Sequence, residues 1–279
     1  LRDGSTAFCI MAGGAGTRVG ATKGLLKIPQ CDTSLLGLKL LQSEGMKHVW
    51  VMTSPSNHDA VVSHLEHLGA AHKVKLFKQY ESFRLTPDNQ IHLVDGAADL
   101  HPCGHGDLVP ALRYSGILGD FLAGGGKRVM VVNVDNVFGT PNPLTVGQHV
   151  LSKKPVTCEV VQRLPGEGGG VVCHHGGFDQ VVEQFRMSGH TDMEHFRWLN
   201  TNTLVFNADL DFDTVKWSWH RVKKIVNNKS VVQYERLLQD LTSHFQTQFI
   251  SVPRSSRFMP VKTPADLQEA ARIFGRKET

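Results

Sequence analysis

An α/β fold, with a mixed sheet covered by helices, is predicted by three observations. Short β-branched and apolar runs recur along the chain, helix-like segments stand between them, and after Pro143 the strands become closely spaced. In order, the runs at 6–12, 48–53, 73–77 and 128–133 read as strands. Leu35, Leu36, Leu38, Leu40 and Leu41 predict an amphipathic helix between the first two, and 58–68 predicts another with Val61, Val62 and Leu65 inward. That is a β-α-β-α-β start. Strands at 156–161, 170–174, 178–184 and 202–206, separated by Gly-rich or polar turns, predict an antiparallel or mixed second part, with a soft boundary near 145–155. A helix over 231–244, a strand over 248–252 and a helix over 264–275 complete the reading.

The 279 residues are enough to bury a sizeable core in one domain or two lobes. Lys and Arg number 30 against 26 Asp and Glu, a net charge of +4 that suits an anionic small molecule and lacks the basic runs of a nucleic-acid binder. The five cysteines, at 9, 31, 103, 158 and 173, form no C-x-x-C pair, and buried reduced thiols are expected. No apolar stretch is long enough to cross a bilayer and Leu1-Arg2-Asp3-Gly4 opens no signal-peptide core, so no membrane role is expected. A cytoplasmic location follows, or an organelle stroma if a transit peptide has been removed.

The stretch MAGGAGTRVGATKG, residues 11–24, follows the first strand directly. Glycines without Cβ let backbone N–H groups converge on phosphate oxygens. A Walker loop would need G-x-x-x-x-G-K-[ST], which does not occur here, and the dinucleotide fingerprint is only half met by Gly14-Ala15-Gly16. What stands there is an anion cradle topped by the fork of Arg18 and the point charge of Lys23, a pairing suited to a polyphosphate.

Four further segments join the loop in order: HPCGHGDL (101–108), NVDN (133–136), LNTNTLVFN (199–207) and VPRSSRFMPVKTPADL (252–267). As a set they resemble the signature segments of the UTP–glucose-1-phosphate uridylyltransferase family, the eukaryotic-type UDP-sugar pyrophosphorylases. The resemblance implies a Rossmann-like nucleotidyltransferase fold of the glycosyltransferase-A-like kind. Residues 1–279 would form a single catalytic domain, with nucleotide binding in 1–150 and sugar binding in 151–279. Family members usually carry an N-terminal helical extension and a C-terminal left-handed β-helix, and no such β-helix is expected within residues 1–279.

The implied reaction is attack by a sugar 1-phosphate oxygen on the α-phosphorus of UTP, and its partners are UTP and a sugar 1-phosphate. The nucleophile is already an anion, so cations and positioning must supply the catalysis. Asp135, expected at the carboxyl end of a central strand, would hold Mg²⁺, a hard ion that takes one carboxylate plus water and phosphate oxygens. Lys23, Lys262 and Arg18 are the candidate catalytic cations. Ala12, Gly13, Gly14, Gly16 and Thr17 in the loop, with Gln79, Gly104, His105 and Asp135, would bind the nucleotide, Gln79 by reading the uracil edge. His105, Gly170, Glu183, Asn200 and Asn202 would meet the sugar phosphate. Asp107 reads as the cap of a helix beginning at Leu108.

Glucose 1-phosphate is the expected sugar, on the Asn200-Thr201-Asn202 segment. Arg18 in the loop is the acetylhexosamine-type feature, so an N-acetylhexosamine 1-phosphate or a broad sugar range is one alternative. A catalytically silent nucleotide-sugar-binding module of a longer protein is another. The histidines and acids of 190–195 match no metal spacing and read as a solvated loop, and the tryptophans at 198, 217 and 219 read as core or cleft-edge packing.

Overall fold

A computed structural model describes residues 1–14 and 22–275. The first part alternates as expected. Strand β1 (Thr6–Met11) leads through helix α1 (Leu35–Gln42) to β2 (Val49–Thr53), then through α2 (His58–His67) to β3 (Lys75–Lys78). The Ser34 hydroxyl starts α1 by accepting the Gly37 N–H at 2.9 Å, relieving one of the orphan donors of the first turn. Short strands β4 (Glu81–Phe83), β5 (Leu93–Val94), β6 (Ala97–Ala98) and β7 (Leu100–Pro102) form two small pairs, β4 with β7 and β5 with β6. Helices α3 (Leu108–Tyr114) and α4 (Ile117–Ala123) then bring the chain back to β8 (Arg128–Asn133), parallel to β1.

Helix α5 (Pro143–Ser152) precedes β9 (Val156–Gln162), β10 (Gly170–His175), β11 (Phe178–Glu183) and the long β12 (Trp198–Asn207). Among the described residues one nine-stranded sheet takes the order β11-β10-β12-β8-β1-β2-β3. Strand β9 also pairs with β12, and β15 (Thr247–Ser251) pairs parallel with β9. Because β12 lies antiparallel against β8, the sheet runs unbroken across residues 145–155 and both parts share it. The central strands β1 and β8 are apolar over Ala7–Met11 and Val129–Val132 and covered on both faces, as a parallel arrangement requires. Helices α3 and α4 close one face through Leu108, Leu112 and Phe121, while α1, α2 and α7 (Pro264–Phe274), which follows the single turn α6 (Arg254–Arg257), close the other through Leu35, Leu36, Leu65 and Ala270.

The expected helix over 231–244 is not formed. Residues 220–226 and 229–235 instead make a hairpin, β13 (His220–Val226) with β14 (Lys229–Glu235), and 238–243 is a 3-10 turn. Asn227 and Asn228 take left-handed conformations, with φ of 49° and 61°, a turn that matches the twist of the flanking strands. Leucines 237, 238 and 241 mimic a helical period, but Leu238 and Leu241 pack from the short turn into the core. All five cysteines are unpaired and four are buried, as expected of reduced thiols. Trp198 and Trp217 pack on the core, whereas Trp219 is half exposed beneath the Arg236 guanidinium. No helix among the described residues is long and apolar enough to cross a membrane.

Candidate nucleotide and sugar-phosphate site

A pocket of about 340 Å³ opens where β1 and β8 end, the place at which α/β sheets gather ligands. Met11, Ala12, Gly13 and Gly14 enter it from one strand and Asn133, Val134 and Asp135 from the other. Asp135 therefore stands where the apolar run of β8 predicts. The Lys23 ammonium lies 2.6 Å from its Oδ2. Among the described residues no protein donor reaches Oδ1. The backbone around the carboxylate is held on both sides: Val134 N–H donates to the Met11 carbonyl and Val261 N–H to the Asp135 carbonyl. Gly16, Thr17 and Arg18 lie outside the described residues.

Gln79 is buried behind the floor of the pocket, and its Nε2 donates to the Gly13 carbonyl at 3.0 Å. A Cβ built on Gly13 would fall 2.0 Å from that Nε2, so residue 13 must be glycine for the amide to lie there. With its N–H end committed, the amide keeps a buried oxygen, Oε1, that has no partner among the described residues. Such an oxygen asks for a donor, and the N3–H of a uracil is one.

The Gly104-His105-Gly106-Asp107 turn forms the adjacent wall. Gly104 has φ of +93°, and Cβ atoms on Gly104 or Gly106 would meet the backbone of Arg236 and Leu237 at 2.6 Å and 2.4 Å. These glycines thus let the turn lie directly on the strand end after the hairpin. His105 Nδ1 accepts the Leu238 N–H at 3.0 Å, so its proton sits on Nε2, and burial lowers its proton affinity and keeps the ring neutral. Asp107 does not cap α3 with its side chain: Oδ2 accepts the Tyr80 N–H at 2.6 Å and Oδ1 accepts from Arg236 at 3.1 Å. Two longer-range donors outcompete the local cap, and the residue ties three segments together beside the pocket.

Of the residues read as sugar-contacting, His105 lines the pocket, whereas Gly170, Glu183, Asn200 and Asn202 do not, and neither does the catalytic candidate Lys262. Glu183 receives a bond from Gln239 Nε2 at 2.6 Å, and a Cβ on Gly170 would fall 2.9 Å from Glu183 Oε1. Burial pushes the Glu183 carboxyl up to about 7 against the pull of Lys262 and Arg186, with Glu235 adding to the rise. Asn200 and Asn202 are bonded to each other: Asn200 Nδ2 donates to Asn202 Oδ1 at 2.8 Å, and Asn202 N–H to Asn200 Oδ1 at 2.9 Å. Asn202 takes φ of 57° at the register shift between Asn200 and Leu204. Lys262 is exposed, and its backbone N–H donates to Asp266 ahead of α7.

Sequence reasoning missed the wall opposite the strand ends. Arg84 and His101 line it, and Lys224, Gln233 and Glu235 reach it from the hairpin. The available signal was Asn227-Asn228 between two β-branched runs. Sequence reasoning gave no role to two buried residues that set the site from behind. Arg257 donates to Glu159 at 2.9 Å and 3.1 Å and to the Thr140 hydroxyl at 2.7 Å, clamping the 252–262 segment to the loop after Asp135. Lys39, fully buried, donates to the Gly139 carbonyl at 2.7 Å in the same loop, and burial pushes its ammonium down to about 7. The 190–195 segment is a solvated turn in which Glu194 meets Arg163.

A parallel-centred α/β sheet carries a carboxylate and a lysine at its strand ends, facing a buried amide, an arrangement suited to a nucleotide and its phosphates. A family model described as UTP–glucose-1-phosphate uridylyltransferase matches residues 5–272, and the chain belongs to that family. It is 28% identical to the UTP–glucose-1-phosphate uridylyltransferase of Pyrus pyrifolia, over 91% of this chain and 59% of the relative. The chain spans about six tenths of the length of this relative and of the Hordeum vulgare enzyme of the same name. In fold it matches a variant of the Leishmania major UDP-glucose pyrophosphorylase solved with UDP-glucose, with a TM-score of 0.79, 22% identity, and 95% of this chain and 65% of that one covered. An Entamoeba histolytica protein described as a UDP-N-acetylglucosamine pyrophosphorylase matches with a TM-score of 0.83 and 19% identity, over 98% of this chain and 80% of that one.

Proposed function

We propose that the chain carries the catalytic centre of a Mg²⁺-dependent uridylyltransferase that converts UTP and glucose 1-phosphate to UDP-glucose and pyrophosphate. The observation that carries this reading is the pairing, in one pocket, of the Lys23–Asp135 couple with the buried Gln79 amide oxygen. The couple sits at the phosphate end. The amide sits where a base would lie, poised to accept from uracil N3–H; cytosine presents no donor at that position.

The donor set suits magnesium. Among the described residues no three His, Cys, Asp or Glu side chains converge, so an all-protein cage is not offered, whereas one carboxylate with a free oxygen facing a polyphosphate is the usual protein share of a magnesium site. When bound, the ion would neutralise charge on the phosphates. Asp135 Oδ1 would hold it. Lys23 is fixed within reach of the phosphates by Oδ2, and Lys262 enters on the segment whose Val261 N–H is bonded to the Asp135 carbonyl. The reacting oxygen of the sugar phosphate needs no base; it displaces pyrophosphate from the α-phosphorus once the two anions are held in line.

The sugar is assigned on the second group of residues. Glu183 over Gly170 and the amides of Asn200 and Asn202 offer hydrogen bonds suited to hydroxyls, and a C2 acetamido group would need a partner of its own. A pyrophosphate-release assay over UTP, CTP and ATP with glucose 1-phosphate and N-acetylglucosamine 1-phosphate tests both halves. Turnover confined to UTP, and faster with glucose 1-phosphate, is expected. Equal use of purine triphosphates would overturn the reading, and a preference for the acetylated sugar would overturn the sugar assignment alone.

A further inference from the structure

We propose that His101 accepts a hydrogen bond from a ribose hydroxyl of the bound nucleotide, and so makes the site select ribonucleotides over deoxyribonucleotides. The inference rests on the UTP reading of the pocket and adds to it a residue that the signature segments do not assign.

The ring is fixed in one tautomer. His101 Nδ1 lies 2.9 Å from the Pro102 carbonyl, which can only accept, so Nδ1 carries the hydrogen and Nε2 presents a lone pair. Burial lowers the ring's affinity for a second proton, with Arg84 acting in the same direction and Glu235, Asp99 and the Pro102 bond acting against it. His101 is fully buried and lines the pocket that Gln79, Lys23 and Asp135 also line. Its Nε2 has no partner among the described residues.

The obvious protein donors nearby are engaged elsewhere. Arg84 donates from Nη1 to Asp99 at 2.6 Å and from Nε to Gln233 at 3.2 Å, and the Lys224 ammonium pairs with Glu235 at 3.6 Å. A buried acceptor left unmet costs about 1–3 kcal/mol, which a ligand donor would relieve. With its phosphates ionised, UTP carries three such donors: N3–H and the 2′ and 3′ hydroxyls. Gln79 Oε1 takes the first in the reading above, and the hydroxyls remain for His101.

Titration calorimetry of the intact chain with UTP, 2′-deoxy-UTP and 3′-deoxy-UTP, without the sugar phosphate, reads the contact independently of turnover. One of the two deoxy analogues is expected to bind about tenfold or more weakly than UTP. In His101→Phe that gap should close to within about twofold, UTP falling to the level of the analogue, and His101→Gln, which restores an acceptor, should reopen part of it. Equal binding of the three nucleotides by the unmutated chain would overturn the proposal, as would a gap unchanged in His101→Phe. If that variant does not fold, the comparison in the unmutated chain and in His101→Gln decides. Should ATP bind as well as UTP, the base reading fails, and the same comparison with ATP and its deoxy analogues still tests His101.

Discussion

The two ends of the site are built in opposite ways. At the end proposed for the nucleotide, side chains from distant segments converge on one pocket and leave atoms unspent among the described residues: Asp135 Oδ1, Gln79 Oε1 and His101 Nε2. At the end proposed for the sugar the polar groups bond one another, Asn200 with Asn202 and Glu183 with Gln239, and among them only Gln239 Oε1 is a buried atom without a partner among the described residues. The nucleotide end is preorganised, so its ligand meets groups already in position. The sugar end must exchange internal bonds for ligand bonds, and its affinity is a difference between two similar sums.

The sharpest way to break this contrast is at Asp135. Asp135→Asn keeps the shape but removes the charge that holds Lys23 and would hold the ion, and turnover should fall roughly 10²-fold or more with melting temperature nearly unchanged. Near-normal turnover in a folded variant would show that the strand-end carboxylate is not the centre of the site. A second variant tests the frame behind it. Glu159 is fully buried and pairs with Arg257, so Glu159→Leu leaves a buried guanidinium unpaired and should cost about 3–5 kcal/mol in denaturant unfolding. A loss under about 1 kcal/mol would mean that the clamp between the 252–262 segment and the Asp135 loop is not what positions it.

The gathering of the loop and Asp135 at one end of the sheet was legible because both follow strand ends. A glycine loop after one apolar run and an Asp after another can be placed from sequence alone, since topology brings the carboxyl ends of neighbouring parallel strands together. The hairpin was not legible. Leu237, Leu238 and Leu241 mimic a helical period, and only the pairing of 220–226 with 229–235, a tertiary fact, overrides it. With the hairpin went Lys224, Gln233 and Glu235, and the partners of Asp107 were hidden for the same reason: its local cap lost to Tyr80 and Arg236.

Gly13 offers a smaller and more selective effect. Gly13→Ala places a methyl carbon on the position of the Gln79 amide, which must move, so the preference for UTP over CTP should shrink by roughly 1–3 kcal/mol, as it should in Gln79→Ala. The glucose-over-acetylglucosamine ratio should stay put in both. If the sugar ratio moved as much as the base ratio, the two ends would be one coupled unit and the contrast would fail.

The smallest effect is on stability, and it separates the ends by the sign of their pH dependence. Burial raises Glu183 from 4.5 to about 7, so between those values the folded chain binds a proton that the unfolded chain has lost. Stability from this group is complete below pH 4.5 and declines as pH rises through 7, against the opposing fields of Lys262 and Arg186 and with that of Glu235. Lys39, beneath the Asp135 loop, behaves conversely. Burial and Arg257 lower it from 10.5 to about 7, with Asp135 opposing, so the unfolded chain holds the extra proton and stability climbs between those values. Each limb should amount to something on the order of 1–3 kcal/mol, giving a shallow minimum near neutrality. Denaturant unfolding from pH 5 to 10 should show Glu183→Gln flattening the acid limb alone and Lys39→Met the alkaline limb alone. If either substitution flattened both limbs, or neither, the two buried charges would not be independent and the separation between nucleotide and sugar ends would have to be redrawn.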